Sequence, residues 1–422
     1  MSANSIWKRL LTVERTVVEQ VEVDPEADVL VAHVRPVARE RNRCGVCRRP
    51  ARGYDQGRGR RRWRCLDAGT MKVFLETELP RVRCREHGVV AAAVPWARHG
   101  AGHTLVFDQQ AAWMAAECSK SAVAQLMRVA WRTVGTIVAR FVADRDAGVD
   151  RLAGLRRIGI DEISYRKGQR YMTVVVCHDT RRVVWMADGH GKQVLQGFFD
   201  ALGAERAARL THVSADGAEW IAETVADHAP NAARAMDPFH VVAWATEALD
   251  AERRAAWNRA RRQAADPDLA RKLKHSRHAL WKNPEDLTER QQTKLAWIAS
   301  TDPRLHRAYL LKEGLRTVFA IAGEQGAKAA IEALDRWLTW ACRCRIEVFT
   351  DLARRIRRHR EAIVNAIIER LSNGLIESTN TKTRLIIRRG FGFRTADAVI
   401  ALVMLTLGGD RPTLPGRQLA PA

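Results

Sequence analysis

The spacing of apolar residues changes character several times along the chain, and each change marks a different kind of local structure. From Val13 to about His99, short alternating runs such as VEVDPEADVLVAHVRP and MKVFLETELPRVRC are separated by Gly- and Arg-rich connectors. Alternation puts successive side chains on opposite faces of an extended strand, so this stretch predicts a compact β-rich module. Between Thr104 and Asp146 the period lengthens to about 3.6 in LVFDQQAAWMAAE, SAVAQLMRV and WRTVGTIVARFV, which predicts three short helices.

From Leu155 three strand-like runs, RRIGIDEISY, RYMTVVVCHD and RRVVWMADG, are divided by the polar turns RKGQ and DTRR and predict an antiparallel meander. A helix (Gln193 to Leu202), a strand (Leu210 to Ala215), a helix (Ala218 to Asp227) and a strand (Ala232 to Met236) then alternate as in a parallel α/β unit. The order βββαβαβ is that of a ribonuclease-H-like sheet. Val241 to Arg370 reads as long helices without strand signals, a helical insertion, and GGDRPTLPGRQLAPA at the end reads as a flexible tail. The expected organisation is a β-rich module over 1–100, a helical DNA-reading domain over 101–150, and an α/β ribonuclease-H-like domain over 151–422 with an all-α insertion at about 241–370.

Composition narrows the partner. The 422 residues, 46% of them apolar, suffice for more than one buried core. Their formal net charge of +22 is a field that attracts a polyanion, and nucleic acid is the first candidate. No stretch approaches the ~20 uninterrupted apolar residues that cross a bilayer, and MSANSIWKRLLTVERT lacks a signal-peptide apolar run, so a soluble, cytoplasmic protein is expected. Eight cysteines are too sparse for a disulfide scaffold, and Cys118, Cys177, Cys342 and Cys344 fall in segments read as helix or strand.

The remaining thiols include Cys44-Gly-Val-Cys47 and, beyond a β-rich stretch, Cys84-Arg-Glu-His87. Zinc takes four soft or borderline ligands in a tetrahedron, and each such turn offers two on one side of the ion. A closed structural zinc site from Cys44, Cys47, Cys84 and His87 is expected, with Cys65 as the alternative to His87. The nearby Arg58, Arg60, Arg61, Arg62 and Arg64 are candidates for phosphate contacts.

Ser119 to Phe141 has the form of a helix-turn-helix, with a turn near Arg128 and Val129. Val123, Leu126, Val134, Ile137 and Val138 are expected in its core. Arg132, Thr133, Thr136 and Arg140 are then left on the second helix for a DNA major groove.

Three acids suggest chemistry. Asp161, in the apolar strand IGIDEIS, sits where a carboxylate is costly unless something binds it. Asp216 ends the strand LTHVSAD, where an open α/β sheet presents its ligands, and Asp237-Pro-Phe-His240 ends the neighbouring strand. Either Asp216 or Asp237 is the second ligand. Glu377 opens a later helix in LSNGLIESTNTKTRLIIRRGFGFR, followed at about one-turn intervals by Asn380, Arg384 and Arg388, so that a carboxylate adjoins a basic stripe. Clustered carboxylates are the hard ligands that phosphodiester cleavage by two magnesium ions requires. Glu162 and Asp179 read as surface charges.

At these residues the chain resembles the ISL3 family of bacterial insertion-sequence transposases. The resemblance rests on the paired zinc turns, VPWA (Val94 to Ala97), GIDE around Asp161, D-x-F-H at Asp237 to His240, AYLLKE (Ala308 to Glu313), and N-G-x-x-E-x-x-N followed by R and G-F. It implies a DDE domain dependent on magnesium or manganese, with Asp161, Asp216 and Glu377 as metal ligands and Asp237, His240 and Asn380 in support. It also implies terminal inverted repeats and target DNA as double-stranded partners, a dimer or higher oligomer on DNA, and a bacterial, nucleoid-associated setting. A domesticated, inactive relative acting as a DNA-binding regulator is the alternative function. The family's second Cys is replaced here by His87. Ser378 and Thr379 stand where it has Gly and an aromatic residue, and Ile387 where it has Lys.

Overall fold

Alternation in the N-terminal stretch is realised as seven strands: β1 (Thr16–Asp24), β2 (Val29–Pro36), β3 (Arg52–Asp55), β4 (Arg60–Arg64), β5 (Lys72–Glu78), β6 (Arg81–Cys84) and β7 (Gly88–Ala91). In the computed structural model, which describes residues 3–166, 168, 170–263, 267–369, 371, 374–409 and 411–417, they form a four-stranded sheet of order β1-β2-β5-β4 and a three-stranded sheet of order β3-β6-β7. The inward residues Leu30, Ala32, Val34, Val73 and Leu75 pack with Trp63 and Trp96, whose rings meet edge to face at 5.7 Å. Parts of the RKGQ turn, the end of the expected insertion and residues 410 and 418–422 of the expected tail lie outside the described residues.

The chain divides into two compact units, Met1–Val149 with Arg389–Ala422, and Asp150–Arg388. The first holds the β-rich module and the helices Leu105–Glu117, Lys120–Leu126 and Trp131–Asp146. Thr104 and Ser119 cap the first two of these by accepting the amides of Phe107 and Ala122. It also holds the C-terminal residues, which the sequence assigned with the α/β domain. The helix Ala396–Leu407 is apolar around most of its circumference and packs on the helices Leu105–Glu117 and Trp131–Asp146. Arg389 secures the entry to this segment by donating to the carbonyls of Glu117 (2.9 Å) and Ala116 (2.8 Å), at the negative end of the helix Leu105–Glu117.

In the second unit β8 (Arg157–Arg166), β9 (Arg170–Cys177) and β10 (Arg182–Asp188) form the expected meander, and β11 (His212–Ala215) and β12 (Ala233–Met236) add in parallel. The sheet order is β10-β9-β8-β11-β12. On one face Ile158, Ile160, Val175, Val213 and Ala215 pack against Leu195, Phe198 and Leu202 of the helix Lys192–Leu202 and Ile221 and Val225 of the helix Glu219–His228.

The opposite face of β8 receives the helix Gly374–Arg389. A Cβ at Gly159 would overlap the Ile376 side chain, so the glycine within this strand marks where a helix comes down onto the sheet. Helices from Pro238–Gln263 to Arg360–Glu369 fill the interval between β12 and that helix around a core of their own. This is the expected helical insertion.

Candidate metal centres

Strand register decides where the acids meet. Arg157, Ile158 and Gly159 of β8 pair with His212, Val213 and Ser214, and His212 through Ala215 pair with Ala233 through Met236. Carried on along the chain, the same register sets Asp161, Asp216 and Asp237 in one row at the carboxyl ends of β11 and β12. In-register residues of parallel strands share a face, and for this row it is the face covered by the helix Gly374–Arg389.

Asp161 is half-buried. Its Oδ1 accepts the Glu162 amide at 2.7 Å, and its Oδ2 accepts Asn380 Nδ2 at 2.7 Å. Asp216 Oδ1 accepts the Ala218 amide at 3.0 Å. Neither carboxylate has an ion-pair partner among the described residues. Burial first, and then the Asp216 charge, push Asp161 above the ordinary carboxylate range, although the Glu162 amide, His240 and Asn380 act in the other direction. Asn380 is itself buried, and its Oδ1 has no hydrogen-bond partner. An oxygen acceptor without a donor thus lies beside Asp161, a carboxylate without an ion pair.

Asp237 is occupied differently. It is 3% exposed, accepts the Phe239 amide at 3.3 Å and pairs through Oδ2 with His240 Nδ1 at 2.8 Å. This pairing raises the His240 imidazole, and the charges of Asp216 and Asp161 add to the effect against the cost of burial. Glu377 lies on the exposed side of the helix Gly374–Arg389, one turn before Asn380, with Arg384 and Arg388 also exposed. At 3.6 residues per turn these three fall within roughly 40° of one another around the axis.

Among the described residues, one set of three or more His, Cys, Asp or Glu ligand atoms lies within 4.8 Å of one another, and it is the cysteine set described below. Asp161, Asp216 and Glu377 are therefore more widely spread than the ligands of a single preformed ion. Asp179 pairs with Arg157 at the surface as expected, whereas Glu162 is half-buried and raised by burial, 3.9 Å from His190. Glycine was the unused signal: a side chain at Gly217 would collide with Trp244, just as one at Gly159 would with Ile376.

The zinc turns converge as the sequence predicts. Cys47 Sγ lies 3.8 Å from Cys84 Sγ, and His87 Nδ1 lies 3.8 Å from Cys44 Sγ and 3.6 Å from Cys84 Sγ. A tetrahedron with sulfur about 2.3 Å from zinc has edges of about 3.8 Å, so the four atoms already have the ion's dimensions. Hydrogen bonding from His87 holds the Cys84 thiol down to about 6, toward the thiolate that binds metal. Gly45 permits the first turn, because a Cβ there would strike the Ala91 carbonyl and His99. Cys65 is buried in the sheet core and points to the Leu11 carbonyl, which leaves His87 as the fourth ligand. The arginines of this module are largely engaged within it: Arg60 and Arg62 pair with Glu76, Arg64 pairs with Asp67, and Arg61 donates to the Ala101 carbonyl.

In the helical segment Val123, Val134, Ile137 and Val138 are buried, but Leu126 is 63% exposed and Met127 takes its place in the core. Met127 lies one turn beyond the buried Val123 and donates to its carbonyl at 2.9 Å, and the chain then leaves the helix through Arg128 at φ 52°. Arg132 and Thr136 are exposed and Thr133 is half-buried. Arg140 turns back instead, to 3.9 Å from the buried Asp108.

A zinc-ligand set, a three-helix segment and an acidic row on a mixed sheet define a DNA-handling enzyme of several modules, and comparison with known proteins places it. Residues 40–87 match the zinc-finger of transposases IS204/IS1001/IS1096/IS1165, residues 92–142 the helix-turn-helix domain of transposase family ISL3, and residues 158–403 the DDE transposase domain of ISL3. The chain belongs to the ISL3 family of DDE transposases. It is 59% identical to the transposases for insertion sequence element IS1557 of two Mycobacterium tuberculosis strains, across 99% of this chain and 98% of each relative. It is 26% identical to the transposase for IS1001 of Bordetella parapertussis, over 68% of this chain and 70% of that protein. Among the described residues no helix is long and apolar enough to cross a membrane.

Two outcomes follow from this geometry. Metal analysis of the purified protein is expected to find zinc in wild type and in Cys65→Ala but not in Cys84→Ala; zinc retained by Cys84→Ala contradicts the ligand set. The second concerns Asp161. A carboxyl whose folded pKa is raised above its unfolded value costs stability when ionised, a cost relieved as pH falls through the folded value. Asp161→Asn is therefore expected to raise the melting temperature at neutral pH in magnesium-free buffer without chelator, and a lowered one contradicts the uncompensated charge.

Proposed function

We propose that this chain binds the terminal inverted repeats of its insertion sequence, cuts the 3' ends by hydrolysis and joins the freed hydroxyls to target DNA by in-line attack at phosphorus. The Asp150–Arg388 unit is read as a ribonuclease-H-like domain with an all-α insertion. Its 3-2-1-4-5 strand order, with the last two strands parallel to the first, supports that reading.

The observation that carries the proposal is the row at the strand ends. Asp161 and Asp216 stand side by side without an ion pair, under the helix that bears Glu377. Hard oxygen donors in this arrangement suit magnesium or manganese, and the orphaned Asn380 oxygen suits a cation or its bound water. Bound there, two divalent ions supply an activated hydroxyl and charge stabilisation at the leaving oxygen. Their separation also accommodates acids spread too widely for one ion.

The residues divide the remaining work. Asp161 and Asp216 are the inner ligands, and Glu377 completes the set from the helix. Asn380 orients Asp161 through its amide. Asp237 is spent on the helix start and on His240, so Asp216 is the better second ligand; the Asp237 pairing leaves His240 Nε2 with no partner among the described residues, turned to the DNA. Arg384 and Arg388, exposed beside Glu377, contact the backbone. Arg132, Thr133 and Thr136 read the repeat, while Arg140 steadies its own helix against Asp108. Acting on two ends requires at least two copies, so a dimer or larger assembly on DNA is expected.

Asn or Gln in place of Asp161, Asp216 or Glu377 is expected to lower cleavage of an end-containing duplex in magnesium by on the order of a thousandfold or more, while leaving its binding affinity unchanged. Wild-type cleavage rates in Asp161→Asn would overturn the assignment.

A further inference from the structure

A cleft of about 540 Å³ opens beside the acidic row, between Gly217 and Glu219 on one side and Arg354, Arg355, Arg358 and His359 on the other. Its charges do not cancel. Arg354 is paired with Asp351 at 2.5 Å, but Arg355 and Arg358 enter no ion pair among the described residues. A third guanidinium, that of Arg234 on β12, has Nε and Nη2 buried without a hydrogen-bond partner. Its charge reaches both His359 and Asp216. Glu219 and the Arg354-paired Asp351 are the acids of the cleft wall, and the charges of Glu247 and Asp216 also reach Arg355.

The cleft is also shaped for a ligand. Arg355 stacks with its guanidinium carbon 3.6 Å from the ring centroid of Trp244, the indole that leaves no room for a side chain at Gly217. Stacking fixes the plane of the guanidinium and leaves its edge free to donate. Burial lowers Arg355 and Arg234, against the charges of Glu247 and Asp216 on the first and of Asp216 on the second. Burial first, and then the charges of Arg234, Arg355 and Arg358, hold the half-buried His359 below its ordinary value.

We infer that this cleft seats a phosphodiester group of the DNA strand, next along the backbone from the one presented to Asp161 and Asp216, with Arg355 and Arg358 as its ligands and the charge of the buried Arg234 behind them. Planar guanidiniums pair with phosphate oxygens through two parallel bonds, and the free edges here surround a volume that adjoins Asp216. The inference rests on the reading of the acidic row as a strand-cleaving site. It adds the element that draws a polyanion to carboxylates that otherwise repel it.

The test uses the full-length protein and a duplex carrying the element's own terminal sequence, with one phosphate at a time replaced by an uncharged methylphosphonate. Wild type is expected to lose affinity at a phosphate next to the cleaved one. The Arg355→Gln/Arg358→Gln variant is expected to bind roughly tenfold more weakly, with its logarithmic salt dependence flatter by about one to two, and to lose nothing further at that position. Equal losses at every position in wild type and variant overturn the inference, as does a double variant that binds as wild type does at every salt concentration. Both arginines of the double variant are exposed, and a melting curve equal to that of wild type shows that the variant is folded. Cleavage by wild type in magnesium, read in parallel, tests the strand-cleaving reading separately, because the coupling is measured by binding alone.

Discussion

Two carboxylates held side by side without an ion pair are the constraint around which the α/β unit is arranged. The Asp216 charge adds to the cost of ionising Asp161, and a fold left to itself would separate the two. What prevents separation is the apolar set on the other face of the same strands. Ile158 and Ile160 of β8 and Val213 and Ala215 of β11 are fully buried against the helices Lys192–Leu202 and Glu219–His228. A slip of one residue would turn this whole set outward and the acids into the core. Hydrophobic burial therefore sets the spacing of the charges.

The zinc-ligand set and the acidic row solve opposite problems. In the zinc site three thiols and an imidazole close on one another within 4.8 Å, leaving no position for water, and the ion joins two turns of a module with a small core. The acidic row is open, built of hard oxygens, and spread over two strands and a helix. Soft closed ligation fits a structural role, and hard open ligation fits one in which substrate and water must enter. The helix Gly374–Arg389 completes the open site because Gly159 and Ile376 let it approach closely enough for Asn380 to reach Asp161.

Much of this was legible in the sequence, wherever periodicity or spacing carried the information. The meander, the α/β alternation, the helical insertion and the paired zinc turns all follow from local pattern. Asp161 stood out because a carboxylate in an apolar strand needs a reason. Other features depend on position in space. The choice between His87 and Cys65 turned on which side chain faces the turns. The exchange of Leu126 for Met127 turned on which of the two stands one turn beyond the buried Val123 on the packed side. The helix Ala396–Leu407 packs in the N-terminal unit, and uniform apolarity does not say which partner a helix will choose. Arg234 and Arg355 lie in strand and helix with no motif to mark them; in the folded chain an unpartnered buried guanidinium edge singles out the first and the stack on Trp244 the second.

The central claim is that the acidic row grips a pair of divalent cations. Anomalous diffraction from crystals of the protein soaked in manganese addresses it directly. The account predicts two peaks about 3.5–4 Å apart, with Asp161 touching both and Asp216 and Glu377 touching one each. Manganese at other places in the chain, with nothing bound between Asp161 and Asp216, would contradict it.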